Sequence, residues 1–185
     1  MLPGRTSLYR HLHLDGPDGV VPTSSTGETE NGVLTSRARN GRRCGWSIAC
    51  PAGPRAGLPV VVVLHGRGGD HSSAFSPTYL GLDRFRDATV VTGVPAYALA
   101  SVDGGEEYWH ARADGDDPAA MVVDEFLPLL AERGLDTSRL GLLGRSMGGY
   151  GALHLAGVLG RDRVSAVAAM SPALWRDYAD TAPGA

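Results

Sequence analysis

The sequence predicts an α/β protein, a mostly parallel sheet with helices on both faces. Three observations carry that prediction. Apolar stretches of strand length alternate with stretches of helical period along most of the chain. The strand-length stretches are continuous in Val, Leu and Ala, the composition of strands covered on both faces. Glycine clusters stand where strand must turn into helix. The 185 residues, 43% hydrophobic, suffice for one domain with a sizeable core.

Residues 1–32 are polar and rich in Gly, Pro, Ser and Thr, so a loose lead-in or short edge strands are expected there, with the domain proper over 33–185. Residues 33–50 read as strand, turn, strand: Asn40-Gly41 is a hairpin signal, and Trp46, Ile48 and Cys50 alternate. Arg37, Arg39, Arg42 and Arg43 flank that turn and read as a solvated face rather than a nucleic-acid patch. After a Pro/Gly loop, residues 60–64 form a buried strand that stops at His65-Gly66-Arg67-Gly68-Gly69-Asp70. A short helical stretch follows over 74–85, then strands over 89–92 and 97–102.

Residues 103–117 are a polar loop holding Tyr108, Trp109 and His110. Asp117-Pro118 opens a helix, an acidic cap with proline at the first helical position. Val122, Phe126, Leu129 and Leu130 give it helical period, Pro128 is expected to kink it, and Gly134 to end it. A strand over 140–143, a small-residue helix over 147–159 and a strand over 164–170 complete the alternation.

Charge and targeting narrow the function classes. The net charge is −3, which favours neither nucleic acid nor an anionic membrane surface as partner. Residues 1–20 carry His11, His13, Asp15 and Asp18 and lack the apolar core of a signal peptide, and the longest apolar run, 58–64, is too short to span a bilayer. A cytoplasmic location is expected. Cys44 and Cys50 are expected to be plain thiols, since one pair is no disulfide framework.

The chemistry is concentrated in Gly144-Arg145-Ser146-Met147-Gly148, a match to G-x-S-x-G. With 26 glycines in 185 residues the pattern arises by chance about 0.2 times per chain, so context decides. The match sits directly after one predicted strand and directly before one predicted helix. A serine at such a sharp turn takes a strained backbone and lifts its hydroxyl clear of the sheet. Side chains at the flanking positions would collide with the neighbouring strand and helix, hence the two glycines. The helix N-terminus turns its positive end toward a developing oxyanion. The loop beginning His65-Gly66-Arg67 supplies a second donor in this arrangement: the backbone N–H of Arg67, with Gly66 as the alternative, beside that of Met147. The loop is no dinucleotide fingerprint, because His71 stands where a third glycine would, and the turn is no P-loop, because no Lys follows its glycines.

The stretch Ser146-Met147-Gly148-Gly149-Tyr150-Gly151-Ala152-Leu153, with Leu64-His65-Gly66 upstream, resembles the Putative esterase family of the α/β-hydrolase superfamily, which includes esterase D-like S-formylglutathione hydrolases, feruloyl esterases and mycolyltransferases. The resemblance covers roughly 60–173. It implies ester hydrolysis through an acyl-enzyme on Ser146, a small-molecule ester as partner, and no cofactor or metal. Arg145 departs from the His or Trp often found before the nucleophile.

The resemblance also implies a later Asp or Glu and then a His, and only 39 residues follow Ser146. The chain therefore reads as an α/β-hydrolase lacking its last strands and helices, competent only if an acid and a base are supplied. Two alternatives stand beside it: an inactive hydrolase-like remnant, or an acyltransferase of the mycolyl type. His154 lies about 12 Å along its helix from Ser146, and Asp162, Asp177 and Asp180 have no histidine after them. His65, Trp109 and Tyr108 are expected near the pocket, with ordinary loop packing the equal alternative for the two aromatics. Glu106, Glu107, Asp114, Asp116 and Asp117 miss the calcium-loop spacing, so no metal is expected. An exposed sheet edge near 164–170 would promote self-association.

Overall fold

The structure is a computed structural model and describes residues 19–23 and 27–174. Six strands form one sheet: β1 (Glu28–Ser36), β2 (Arg42–Cys50), β3 (Pro59–Leu64), β4 (Ala98–Val102), β5 (Asp136–Arg145) and β6 (Val164–Met170). Their spatial order is β1-β2-β4-β3-β5-β6. The β4-β3-β5-β6 pairings are parallel, while β1 and β2 join antiparallel at one side. Helix α1 (Leu82–Val91) lies between β3 and β4, α2 (residues 118–132) between β4 and β5, and α3 (Met147–Leu159) between β5 and β6.

The strand period of two divides the core. Val60, Val62 and Leu64 face one way with Ala98, Ala100, Leu140 and Leu142, and pack under Phe126 and Leu130 of α2 and Leu155 of α3. Val63 and Leu99 face the other way, with Ala74, Phe75 and Leu82 over them. Helices thus cover both faces, and the continuous Val run of β3 is apolar because each side needs it so.

Several local expectations hold. The Asp117 side chain accepts from the Ala120 N–H at 2.9 Å and caps α2, with Pro118 first in the helix. At the other end Gly134 takes φ 83°, its N–H bonded to Ala131 and that of Leu135 to Leu130, which satisfies the last carbonyls. Pro128 is accommodated by a wider turn upstream: Met121–Phe126 is π-helical. Cys44 and Cys50 are free thiols.

Others are corrected. Strand β1 begins at Glu28, before the predicted Val33. Residues 74–80 are turns, because Pro77 and the left-handed Gly81 interrupt any helix there; α1 starts at Leu82. Residues 89–92 are no strand but the end of α1 and its cap. Their β-branched side chains mimic a strand, yet Thr89 and Thr92 bond their hydroxyls back to helix carbonyls and Val91 is 87% exposed. Arg39 is not on a solvated face. It is buried and makes a two-pronged pair with the buried Asp116, Nε–Oδ1 and Nη2–Oδ2 both 2.9 Å. No helix among the described residues is long and apolar enough to cross a membrane.

Candidate active site

Ser146 occupies the single residue between β5 and α3, at φ 54° and ψ −117°, a region nearly closed to side-chain-bearing residues. Such a backbone costs about 1–3 kcal/mol and survives only when its surroundings over-determine it. Three hydrogen bonds do so: Ser146 N–H to Met170 O at 2.9 Å, Ala173 N–H to Ser146 O at 3.1 Å, and Tyr150 N–H to Ser146 O at 3.1 Å. The half-buried serine is thereby fixed between β6 and the first turn of α3.

The glycines around it are sterically required. A Cβ at Gly144 would fall on the Gly148 carbonyl, and one at Gly148 on the Leu64 and His65 carbonyls. A Cβ at Gly149 would press on Pro172 at 3.0 Å, and one at Gly151 would strike the Trp109 indole. This close approach brings the end of β3 against the turn. A Cβ placed on Gly66 would lie 3.6 Å from Ser146 Cβ, so the Gly66 backbone borders the serine. The Met147 N–H opens α3 and has no carbonyl one turn back to bond. The Gly66 backbone and the start of α3 thus both border Ser146.

The loop 65–71 is held by carboxylates from the segment after β4. Glu106 accepts from the Gly68 N–H at 2.9 and 3.1 Å and pairs with Arg67 Nε at 3.4 Å. Asp103 accepts from the His71 N–H at 2.6 Å and from the Gly45 N–H at 2.9 Å. Neither role is legible in the sequence, where the acidic residues after β4 show only a failed calcium spacing.

His65 is buried, and both ring nitrogens are engaged. The Gly104 N–H can only donate, so Nε2 accepts it at 3.0 Å, and Nδ1 must then carry the proton given to the Gly66 carbonyl at 2.9 Å. Burial holds this imidazole below its ordinary pKa, outweighing the Gly66 carbonyl and the carboxylates of Asp103, Glu106 and Asp70. A neutral ring with no free nitrogen shapes the loop and leaves nothing to take a proton from Ser146. His71 is bonded through Nδ1 to Ser47 at 2.7 Å.

Trp109 is completely buried, its Nε1–H donating to the His65 carbonyl at 3.3 Å and its ring 5.1 Å from that of His65. It fills the space left by Gly104 and Gly151 and supports the site from beneath, so it faces no open pocket. Tyr108 is half-buried and stands edge-on to Tyr150, one turn into α3, at 6.1 Å. Tyr150 stacks on His154 at 6.1 Å, and His110 lies 6.5 Å from His154. Burial, and next His110, lower the His154 pKa. Among the described residues no histidine is hydrogen-bonded to Ser146. Asp177 and Asp180 lie outside the described residues.

The fold that carries this site agrees with what comparison finds. The model of the family described as Putative esterase matches residues 38–182. The chain belongs to that family. Solved structures share its fold at low identity. A ferulic acid esterase superposes with a TM-score of 0.68 at 21% identity, over 80% of this chain and 61% of its own. A fluorophosphonate-binding serine hydrolase of Staphylococcus aureus gives 0.66 at 18%, over 80% and 58%. An S-formylglutathione hydrolase from Agrobacterium tumefaciens gives 0.65 at 18%, over 81% and 60%. The sheet and its covering helices are thus those of α/β-hydrolase esterases, and the chain spans about three-fifths of the length of these structures. No curated protein matches it.

Proposed function

We propose that this esterase-family chain carries the nucleophile of a serine-dependent carboxylic ester hydrolase, and that Ser146 is that nucleophile. The observation that carries the reading is the Ser146 backbone, held at φ 54° against the Gly66 loop and the first N–H of α3. The Ser146 hydroxyl attacks the ester carbonyl and gives its proton to a base. The oxyanion accepts from Met147 N–H and from Arg67 or Gly66 N–H. The alcohol leaves with a proton, and water then releases the acid from the acyl-enzyme. The solved neighbours, by their descriptions, act on ferulic acid esters or S-formylglutathione or are fluorophosphonate-binding serine hydrolases, which supports acyl transfer to a serine here. Both ring nitrogens of His65 are engaged, His71 is bonded through Nδ1 to Ser47, and no histidine among the described residues is bonded to Ser146. This supports a base supplied from beyond the described residues, on which turnover depends.

The test is hydrolysis of p-nitrophenyl acetate by the chain beside Ser146→Ala. A rate at least about a hundredfold above the variant's supports the reading and means a base is available to Ser146. A clear rate that Ser146→Ala leaves intact removes Ser146 from the chemistry. Equal background rates mean that this chain alone is not competent.

A further inference from the structure

Arg145, immediately before Ser146, carries a charge that no carboxylate among the described residues meets. Its guanidinium lies against Tyr79, donating from Nη1 to the phenol oxygen, with Cζ 5.3 Å from the ring centre. Among the described residues it has no carboxylate partner, in contrast to Arg67, whose charge is met by Glu106. It is also close to the serine. Nη1 lies 3.6 Å from the point where a Gly66 Cβ would stand, and Ser146 Cβ is the same 3.6 Å from that point. The guanidinium and the serine therefore both border Gly66. Arg145 is exposed, so its remaining N–H donors reach solvent. Tyr79 supplies an acceptor and a ring face that restrain the long side chain without neutralising it.

We infer that Arg145 selects esters bearing an anionic carboxylate a few bonds from the scissile carbonyl. A planar guanidinium takes a carboxylate with two parallel hydrogen bonds, and a substrate whose charge falls there is anchored while its carbonyl rests on Ser146. The carboxylate belongs either to the acyl part, as in a half-ester of a short dicarboxylic acid, or to the alcohol part. The inference takes its location from Ser146 as the reacting group, but its test needs no turnover.

Binding is measured by calorimetry in Ser146→Ala, which cannot acylate. Monomethyl glutarate places the carboxylate on the acyl side, 3-acetoxypropanoate on the alcohol side, and dimethyl glutarate carries no charge. At least one monoanion is expected to bind about tenfold or more tighter than the neutral diester, and the tighter of the two assigns the side. Adding Arg145→Gln should bring that ratio close to one, and Arg145→Lys should restore part of it. Because the side chain is exposed, these variants should keep the parent's circular dichroism spectrum. No saturable binding of either monoanion, equal affinity for charged and neutral esters, or a preference unmoved by Arg145→Gln overturns the inference. Ester turnover that survives Ser146→Ala, with the charge preference intact, counts instead against Ser146 as the nucleophile.

Discussion

At Ser146 the protein holds one residue in a conformation its chemistry resists, and the surrounding glycines make that tolerable. Their roles differ sharply along a single helix. A Cβ on Gly148 meets the backbone of Leu64 and His65, which cannot move without parting β3 from α3. A Cβ on Gly157 meets nothing within 4 Å, and no unusual φ is required there. Gly148→Ala should therefore cost about 2 kcal/mol or more, as overpacking against fixed atoms does. Gly157→Ala should instead stabilise by about 0.4–1 kcal/mol, since alanine loses less freedom in a helix. Urea unfolding of the two variants checks the pair, and equal effects would defeat the steric account. The sequence displays both residues as helix glycines. The motif spacing singles out Gly148, but what its Cβ would meet depends on Leu64 and His65, at the end of β3 and far earlier in the sequence.

At the scale of elements, the loop 65–71 is placed by a segment distant in sequence. Glu106 holds Gly68 N–H with both carboxylate oxygens, so truncation there should loosen the backbone that borders Ser146. Because Glu106 is half-exposed, Glu106→Ala should change global stability by less than about 1 kcal/mol. Amide exchange at Gly68 should nevertheless accelerate well beyond the global change, because its acceptor is gone. Exchange measured by mass spectrometry over 65–71 decides this, and unchanged protection would show that the glycine turn holds itself. Legibility follows the same division. Elements specified by local rules were readable: the Asp117-Pro118 start of α2, its Gly134 end, the Val run of β3, the strand-serine-helix junction. Elements specified by distant partners were not. Thr89-Val90-Val91-Thr92 has strand composition, but the hydroxyls bond back along α1. Arg39 sits among arginines that suggest a wet surface, yet Asp116, 77 residues away, draws it inside.

At the scale of the whole molecule, the two edges of the sheet differ. β1 forms one edge and carries Glu28 and Glu30, charges that discourage a further strand. β6 forms the other, and among the described residues nothing pairs with its outer side. Most of β6 is exposed, including Ala166, Ala168, Val167 at 37% and Met170 at 36%, and it bears no charged residue. An uncharged, apolar edge with free N–H and C=O groups is a template for a second chain. The protein is therefore expected to associate as its concentration rises. Val167→Lys sets a charge in the middle of that edge and should shift the association to at least about tenfold higher concentration, because a buried lysine between paired strands costs more than about 1.4 kcal/mol. Sedimentation equilibrium of the two proteins over a concentration series measures the shift. A monomer throughout, or identical curves for the variant, would mean that β6 is covered by residues beyond those described and that the edge is closed in solution.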